Sequence, residues 1–266
     1  MLEKQRHQSI LDILDEQTFA SVPELTEQLK SSQATIRRDI TKLAEQKLIR
    51  KIRGGAQSIS GSNSKTKSTS LKGSAFLINK EKQPEIKRLI AQKAVELCQD
   101  GESIIINGGS STYMMSEFLA HRKLKILTNS FYLAQDLAMN SENQVTLPGG
   151  ELYRKQGIIL SAFENDTIQY YHATKMFMGT PGIGSFGVME SDPLLIRTEQ
   201  KLRKQADKLV ILADSSKIGT RSNFIFSQLQ DVDTLITDDK VDEKAVAMFE
   251  SEGIDVITVS EKAETA

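Results

Sequence analysis

The sequence predicts an α/β protein in two parts: a small N-terminal winged helix-turn-helix and a larger domain built on a mostly parallel sheet. Three observations predict this. Residues 1–57 carry three closely spaced apolar patterns of helical period, then a short alternating stretch that ends in Gly54-Gly55. Ser58 to Lys72 reads SISGSNSKTKSTSLK, small, polar and basic with no apolar period, which describes a solvated linker over 58–75. From 76 to 266, short apolar runs alternate with helical patterns, the order that a parallel sheet covered on both faces requires.

Bulk properties agree with a soluble chain of two ordinary domains. The 266 residues are 39% hydrophobic and 26% charged, enough for a core and typical of a protein in water. No apolar run approaches the ~20 residues that span a bilayer, and Met1 to Glu16 lack the apolar stretch of a signal peptide. The single cysteine, Cys98, excludes an intramolecular disulfide and a cysteine-clustered zinc site. No metal or organic cofactor is expected, and cytoplasm is the expected location. The net charge of −1 conceals a segregation: Arg37 to Lys72 holds ten Lys or Arg against two acids, while the flanking sequence is acidic. One basic segment on a mildly acidic body is what a localised phosphate-contacting surface needs.

In the small domain, Ile10, Leu11 and Leu14 share the face of a first helix, and Val22, Leu25 and Leu29 that of a second. The second starts at Ser21-Val22-Pro23-Glu24, a capping box with Pro tolerated in the first turn. Ser31 and Ser32 interrupt the pattern and cap a third helix from Gln33 to about Gln46, whose buried face is Ile36, Ile40 and Leu43. Leu48 to Ala56 then reads as a β-hairpin wing. In the large domain the predicted strands are Ser103–Asn107, Lys125–Leu127, Val145–Leu147, Lys208–Ala213, Thr234–Ile236 and Asp255–Val259. The predicted helices are Glu85–Cys98, Tyr113–Ala120, Phe131–Met139, Pro193–Ala206 and Asp242–Glu252.

With its apolar face turned inward, the third helix shows Thr35, Arg37, Arg38, Thr41 and Lys42 to the outside. Short residues allow groove entry, and Arg forks grip guanine edges or phosphates. Arg50, Lys51 and Arg53 on the wing are expected to reach backbone phosphates of double-stranded operator DNA. The helix pattern alone also fits a protein-interaction domain; the basic wing and linker turn the reading towards DNA. Asp39, near the edge of the buried face, is expected to orient an Arg or stabilise the fold. Thr35-Ile36-Arg37-Arg38-Asp39-Ile40, with Leu43, Leu48, Arg53-Gly54-Gly55-Ala56, Arg6 and Ile10, resembles the N-terminal signature of DeoR-type bacterial regulators of sugar metabolism. The resemblance implies a winged helix-turn-helix in which Arg37 and Arg38 contact the operator.

The strongest local chemistry in the large domain is Asn107-Gly108-Gly109-Ser110-Ser111-Thr112, between an apolar strand and a helix start. Backbone N–H groups and hydroxyls of such a loop form an anion site; an ordinary capped turn is the alternative. Thr128-Asn129-Ser130, Pro148-Gly149-Gly150 and Asp214-Ser215-Ser216-Lys217 follow other strands and could share the same crevice. These turns stand in the order of the DeoR effector domain, which is similar to ribose-5-phosphate isomerase and related sugar-phosphate folds. The resemblance implies that Gly108 to Thr112 hold the phosphate of a phosphorylated sugar or sugar acid, with Lys217 closing the site and Thr128, Asn129, Gly149, Gly150 and Asp192 contributing. Asn107 stands where the family pattern has Asp. Ala173 to Gly179 and the Glu190–Pro193 turn look closest to the ascorbate-utilisation branch. Gly182-Ile183-Gly184-Ser185-Phe186-Gly187 imitates a dinucleotide fingerprint, but no helix follows it directly, so a pocket-lining loop is expected.

These readings converge on a ligand-controlled repressor of a carbohydrate operon, acting as a homo-oligomer (dimer or tetramer). The alternative is a sugar-phosphate isomerase or deaminase with Glu151, Glu190 or Asp192 as base; none of His7, His121 and His172 lies beside a glycine turn.

Overall fold

The computed structural model describes residues 3–17, 19–46, 48–52, 54–58, 76, 79, 81–161 and 166–260. The chain forms two compact units, Met1–Ser68 and Thr69–Ala266. Most of the expected linker lies outside the described residues.

The first unit is built from α1 (Glu3–Gln17), β1 (Phe19–Ser21), α2 (Val22–Gln28), α3 (Gln33–Glu45), β2 (Ile49–Ile52) and β3 (Gly55–Ser58). Its core gathers Ile10, Leu14, Val22, Leu25, Ile36, Ile40 and Leu43, the residues that helical spacing turned inward. The Ser21–Glu24 capping box starts α2, and the Ser32 side chain accepts the Thr35 amide to start α3. The wing is a three-stranded antiparallel sheet, because β1 pairs with β3, an addition that three residues between two helices did not announce. Its two glycines have separate jobs. Gly54 turns the hairpin at φ +84°, and a Cβ at Gly55 would lie 2.3 Å from the Ala20 carbonyl oxygen, so only glycine lets β3 approach β1.

The second unit is a three-layer sandwich. Its seven-stranded sheet contains β4 (Ser103–Ile106), β5 (Lys125–Thr128), β6 (Gln144–Thr146), β9 (Ala173–Gly179), β12 (Ala206–Leu212), β14 (Thr234–Asp238) and β15 (Asp255–Val259), in the order β15-β14-β12-β9-β4-β5-β6. Every pairing in it is parallel. Alternate side chains enter opposite cores. Ile105, Met176, Met178, Leu209 and Ile211 face one layer, with Leu202 and Phe249. Ile104, Ile106, Phe177, Val210 and Leu212 face the other, with Ile86, Ile90, Leu133 and Leu137. Burial on both faces explains why these strands read as continuous apolar runs.

The covering helices are α4 (Pro84–Glu96), α5 (Ser110–Tyr113), α6 (Met115–Leu119), α7 (Phe131–Asn140), α8 (Pro193–Arg203) and α9 (Glu243–Ser251). The helix predicted over Tyr113–Ala120 is two short ones, broken at Met114 and starting earlier, at Ser110. The predicted loop over Gly182–Gly187 is instead a hairpin of β10 (Gly182–Gly184) and β11 (Gly187–Glu190), extended by β13 (Phe224–Ser227). A further hairpin joins β7 (Glu151–Tyr153) to β8 (Ile158–Leu160).

The chain starts the sheet at β4, builds outward through β5 and β6, and returns to β9 on the other side of β4 before continuing to β12, β14 and β15. The sheet therefore reverses its winding between β4 and β9, and the helices that follow those two adjacent strands pack on opposite faces. In open α/β sheets this reversal opens the crevice that ligands use.

Candidate nucleic-acid interface and ligand cavity

In the first unit, α3 exposes Arg37 and Arg38, while Ile36, Asp39, Ile40 and Leu43 are buried. Asp39 is 1% exposed and is held from α1: Arg6 Nε donates to Oδ2 at 2.5 Å, Arg6 Nη2 donates to Oδ1 at 3.2 Å, and His7 Nε2 lies 3.0 Å from Oδ1. Burial pushes the Asp39 carboxyl up, but the hydrogen bonds and charges of Arg6 and His7 outweigh it and hold the group below the usual carboxylate range. The exposed arginines are thus mounted on a helix pinned from beneath by an ion-pair cluster.

The other expected DNA contacts divide. Arg50 is exposed on β2. Thr35 is half-buried, its hydroxyl 2.8 Å from the capping Ser32 hydroxyl. The Thr41 hydroxyl donates to the Arg37 carbonyl at 2.9 Å and accepts from Lys51 Nζ at 2.9 Å, which ties β2 to α3. Lys42 is half-buried in the last turn. Arg53 lies outside the described residues.

In the second unit, a cavity of about 490 Å³ opens at the reversal between β4 and β9. Asn107 fixes its floor. Its amide N–H donates to the Phe177 carbonyl at 3.0 Å, its Oδ1 accepts from the Gly179 amide at 3.2 Å, and its Nδ2 donates to Glu199 Oε1 at 2.9 Å. One side chain thus spans the two strand ends and reaches α8. The glycine-serine loop forms one wall with Gly108, Gly109, Ser110 and Ser111; Lys82, Lys87 and Lys217 supply ammonium groups, and Glu190 a carboxylate.

The two acids are unusual. Glu199 is fully buried, and burial together with the Glu190 carboxylate pushes its carboxyl up to about 8, against the opposing hydrogen bond from Asn107. Its Oε2 has no hydrogen-bond partner among the described residues. Burial also raises Glu190, although its Oε1 accepts from the Ser191 and Asp192 amides at 2.6 and 3.0 Å. The cavity wall therefore combines ammonium groups, hydroxyls and amides with the Glu190 and Asp214 carboxyls, and Glu199 is buried behind Asn107.

Comparison with known proteins decides the lineage. Residues 6–62 match the DeoR-like helix-turn-helix domain, and residues 82–239 match the DeoR C terminal sensor domain. The chain belongs to the DeoR family. Relatives of this DeoR-family chain include proteins named HTH-type transcriptional regulator UlaR from Shigella dysenteriae serotype 1 and Escherichia coli O139:H28. Each is 32% identical over 259 residues, covering 97% of this chain and 100% of the relative. Membership makes the chain a transcriptional regulator and not an enzyme. Among solved structures, ribose 5-phosphate isomerase A from Methanocaldococcus jannaschii superposes with a TM-score of 0.39 at 17% identity, over 51% of this chain and 54% of that one. The eIF2B beta subunit from Chaetomium thermophilum gives 0.41 at 13% identity, over 57% and 48%.

Of the sequence-predicted sensor residues, Gly108, Gly109, Ser110, Ser111 and Lys217 come together on the cavity wall. Thr112, Thr128, Asn129, Gly149, Gly150 and Asp192 do not line it. Thr112 is buried and its hydroxyl donates to the Asn107 and Gly109 carbonyls, so it shapes the loop from behind. Thr128 Oγ1 accepts the Ser130 amide, and Asn129 Oδ1 accepts the Gly108 amide at 2.8 Å. Gly149 and Gly150 are exposed at the start of the β7–β8 hairpin. Asp192 caps α8 and accepts the Tyr153 hydroxyl at 2.8 Å; burial, and after it this carboxylate, push that phenol up to about 12. Sequence reasoning missed Lys82, Lys87 and Phe76. Lys87 did leave a signal: it stands three, four and seven residues before Ile90, Ala91 and Ala94, on the apolar stripe of α4.

Proposed function

We propose that this DeoR-family regulator represses a carbohydrate-utilisation operon, and that a phosphorylated sugar or sugar acid in the cavity between β4 and β9 sets its affinity for operator DNA. The observation that carries the reading is that cavity. An anion is met by the Ser110 and Ser111 hydroxyls, by loop amides and by the ammonium groups of Lys82, Lys87 and Lys217, while Glu190 faces the same space as an acceptor for hydroxyls. A ligand charged at one end and hydroxylated at the other matches both sets of groups. The resemblance of residues 173–179 and 190–193 to the ascorbate-utilisation branch favours a phosphorylated sugar acid.

On DNA, α3 enters a major groove with Arg37 and Arg38 at base edges or phosphates, and Arg50 and Arg53 contact the backbone. A two-fold operator is bound by a homo-oligomer, dimer or tetramer, in the cytoplasm. The effector favours an arrangement with lower operator affinity, and by linkage operator DNA weakens effector binding by the same factor.

Footprinting on DNA upstream of the gene and its neighbours tests this, at two salt concentrations and with a panel of phosphosugars and sugar acids. A paired, salt-sensitive footprint, absent in Arg37→Ala/Arg38→Ala and released by one compound, is expected. A footprint unmoved by every compound removes the effector half, and no footprint with folded protein removes the operator half.

A further inference from the structure

Lys87 is only 4% exposed, yet it sits on the cavity wall. Its Nζ donates to the main-chain carbonyl of Asn79 at 2.5 Å. Desolvation lowers the pKa of this ammonium, the Asp214 carboxylate opposes that fall, and Lys217 and Lys82 add to it. A buried cation whose close partner is a neutral carbonyl gains more from an arriving anion than an exposed lysine would.

The carbonyl that Lys87 holds belongs to a distinctive part of the chain. Asn79 follows Phe76, whose ring stacks on Tyr132 (centroids 4.5 Å apart, planes at 11°) and meets the edge of Tyr113 at 5.3 Å. Tyr113 ends the short helix that begins at Ser110, and Tyr132 lies in the first turn of α7. Gln83, immediately before Pro84, is held at φ +48°, a left-handed conformation that a non-glycine residue adopts at a cost. Phe76, Asn79 and Gln83 all line the cavity. In the sequence, Phe76 follows directly on the basic linker.

We propose that Lys87 is the anion sensor of the cavity, and that a phosphate or carboxylate arriving there takes its ammonium from the Asn79 carbonyl, so that occupancy is reported through the stretch carrying Phe76 and Asn79 to the linker behind the DNA-binding unit. The proposal rests on the reading of the cavity as an effector site. It adds the residue that senses and the contact that changes.

The test uses the full chain and inorganic phosphate as the probe, with binding followed by calorimetry and local opening by amide hydrogen exchange. In the wild type, phosphate is expected to bind saturably and to speed exchange at Lys82, whose amide donates to Asn79, by roughly tenfold. Lys87→Met is expected to weaken phosphate binding by about tenfold or more and to leave Lys82 exchanging fast with or without phosphate. Tyr132→Leu, which removes the ring stacked on Phe76 and lies off the cavity wall, is expected to retain phosphate binding and lose the effect of phosphate on operator affinity.

If Lys217→Met and Ser111→Ala weaken phosphate binding while Lys87→Met does not, the sensor assignment falls and the effector-site reading stands. If none of the three weakens it, or the wild type binds no phosphate, both fall. If phosphate binds through Lys87 but Lys82 exchange is unchanged, the coupling falls. Should Lys87→Met not fold, the wild-type exchange measurement decides alone.

Discussion

Glu199→Gln is a substitution that should stabilise the sensor unit at high pH and do nothing of the kind at low pH. The native carboxyl is raised from 4.5 to about 8 because it is fully buried and faces the Glu190 carboxylate. For an acid raised in this way the folded state binds the proton more tightly than the unfolded state. Stability is therefore complete below the unfolded value near 4.5 and is lost as pH rises towards 8. At about 1.4 kcal/mol per pH unit, the loss between pH 5 and pH 8 is on the order of 4 kcal/mol. Glutamine resembles the protonated acid and does not titrate, so it removes the pH-dependent part. Its extra buried N–H, placed where Oε2 already lacks a partner, adds a pH-independent cost of about 1–3 kcal/mol. The chain supplies its own probe: there is no tryptophan, and all five tyrosines (Tyr113, Tyr132, Tyr153, Tyr170 and Tyr171) lie in the second unit. Urea unfolding followed by tyrosine near-ultraviolet dichroism from pH 5 to 8.5 should give two curves that diverge with rising pH, the variant gaining on the wild type. Parallel curves would refute the assignment of a neutral Glu199.

Three further outcomes follow from the first unit. Asp39→Asn leaves Arg6 and His7 without their carboxylate and should destabilise that unit by about 3 kcal/mol, seen as helical dichroism lost at lower urea with the tyrosine signal unmoved. Because the Asp39 carboxyl is held low, its contribution in the wild type is present above about pH 4 and disappears as pH falls through the native value, so the difference between the two chains should shrink only in acid. Lys51→Met, which cuts the tie to Thr41, should weaken operator binding without changing its salt dependence. Arg50→Met should flatten the slope of log K against log salt by ~0.9; equal flattening by both would show that Lys51 neutralises a phosphate. Gly55→Ala forces a Cβ against the Ala20 carbonyl and should cost about 1–3 kcal/mol, with operator binding lost before the sensor unit is affected.

The first unit was legible in the sequence because each of its signals is local. A capping box, a serine cap and an apolar face each sit within a dozen residues, and Asp39 already stood at the edge of a buried face. The second unit was legible where strands are rich in isoleucine, leucine and valine, as in Ser103–Ile106 and Ala206–Leu212. Its central strand was not. Ala173–Gly179 reads Ala-Thr-Lys-Met-Phe-Met-Gly, with one β-branched residue and no alternation, since both faces are buried. The hairpin at Gly182–Glu190 was hidden by glycines that carry no apolar pattern. The cavity shows the same division. Strand-end turns could be named, but which of them meet depends on the reversal of sheet order, and that information is not local. Lys87 was visible only as a charge in the wrong place on a helix.

Because every strand of the large sheet points the same way, the parts that would touch a ligand sit along one rim, while the packing that holds the unit together lies below it. Asn107 marks the line between them, since it fixes the gap between two strand ends without using the Ser110 and Ser111 hydroxyls. Such a separation suits the domain to refitting. Substitutions at Ser110 or Ser111 can be screened in libraries for new small-molecule responses with little loss of folded protein, and the chain offers a starting scaffold for a genetically encoded biosensor whose output is a promoter.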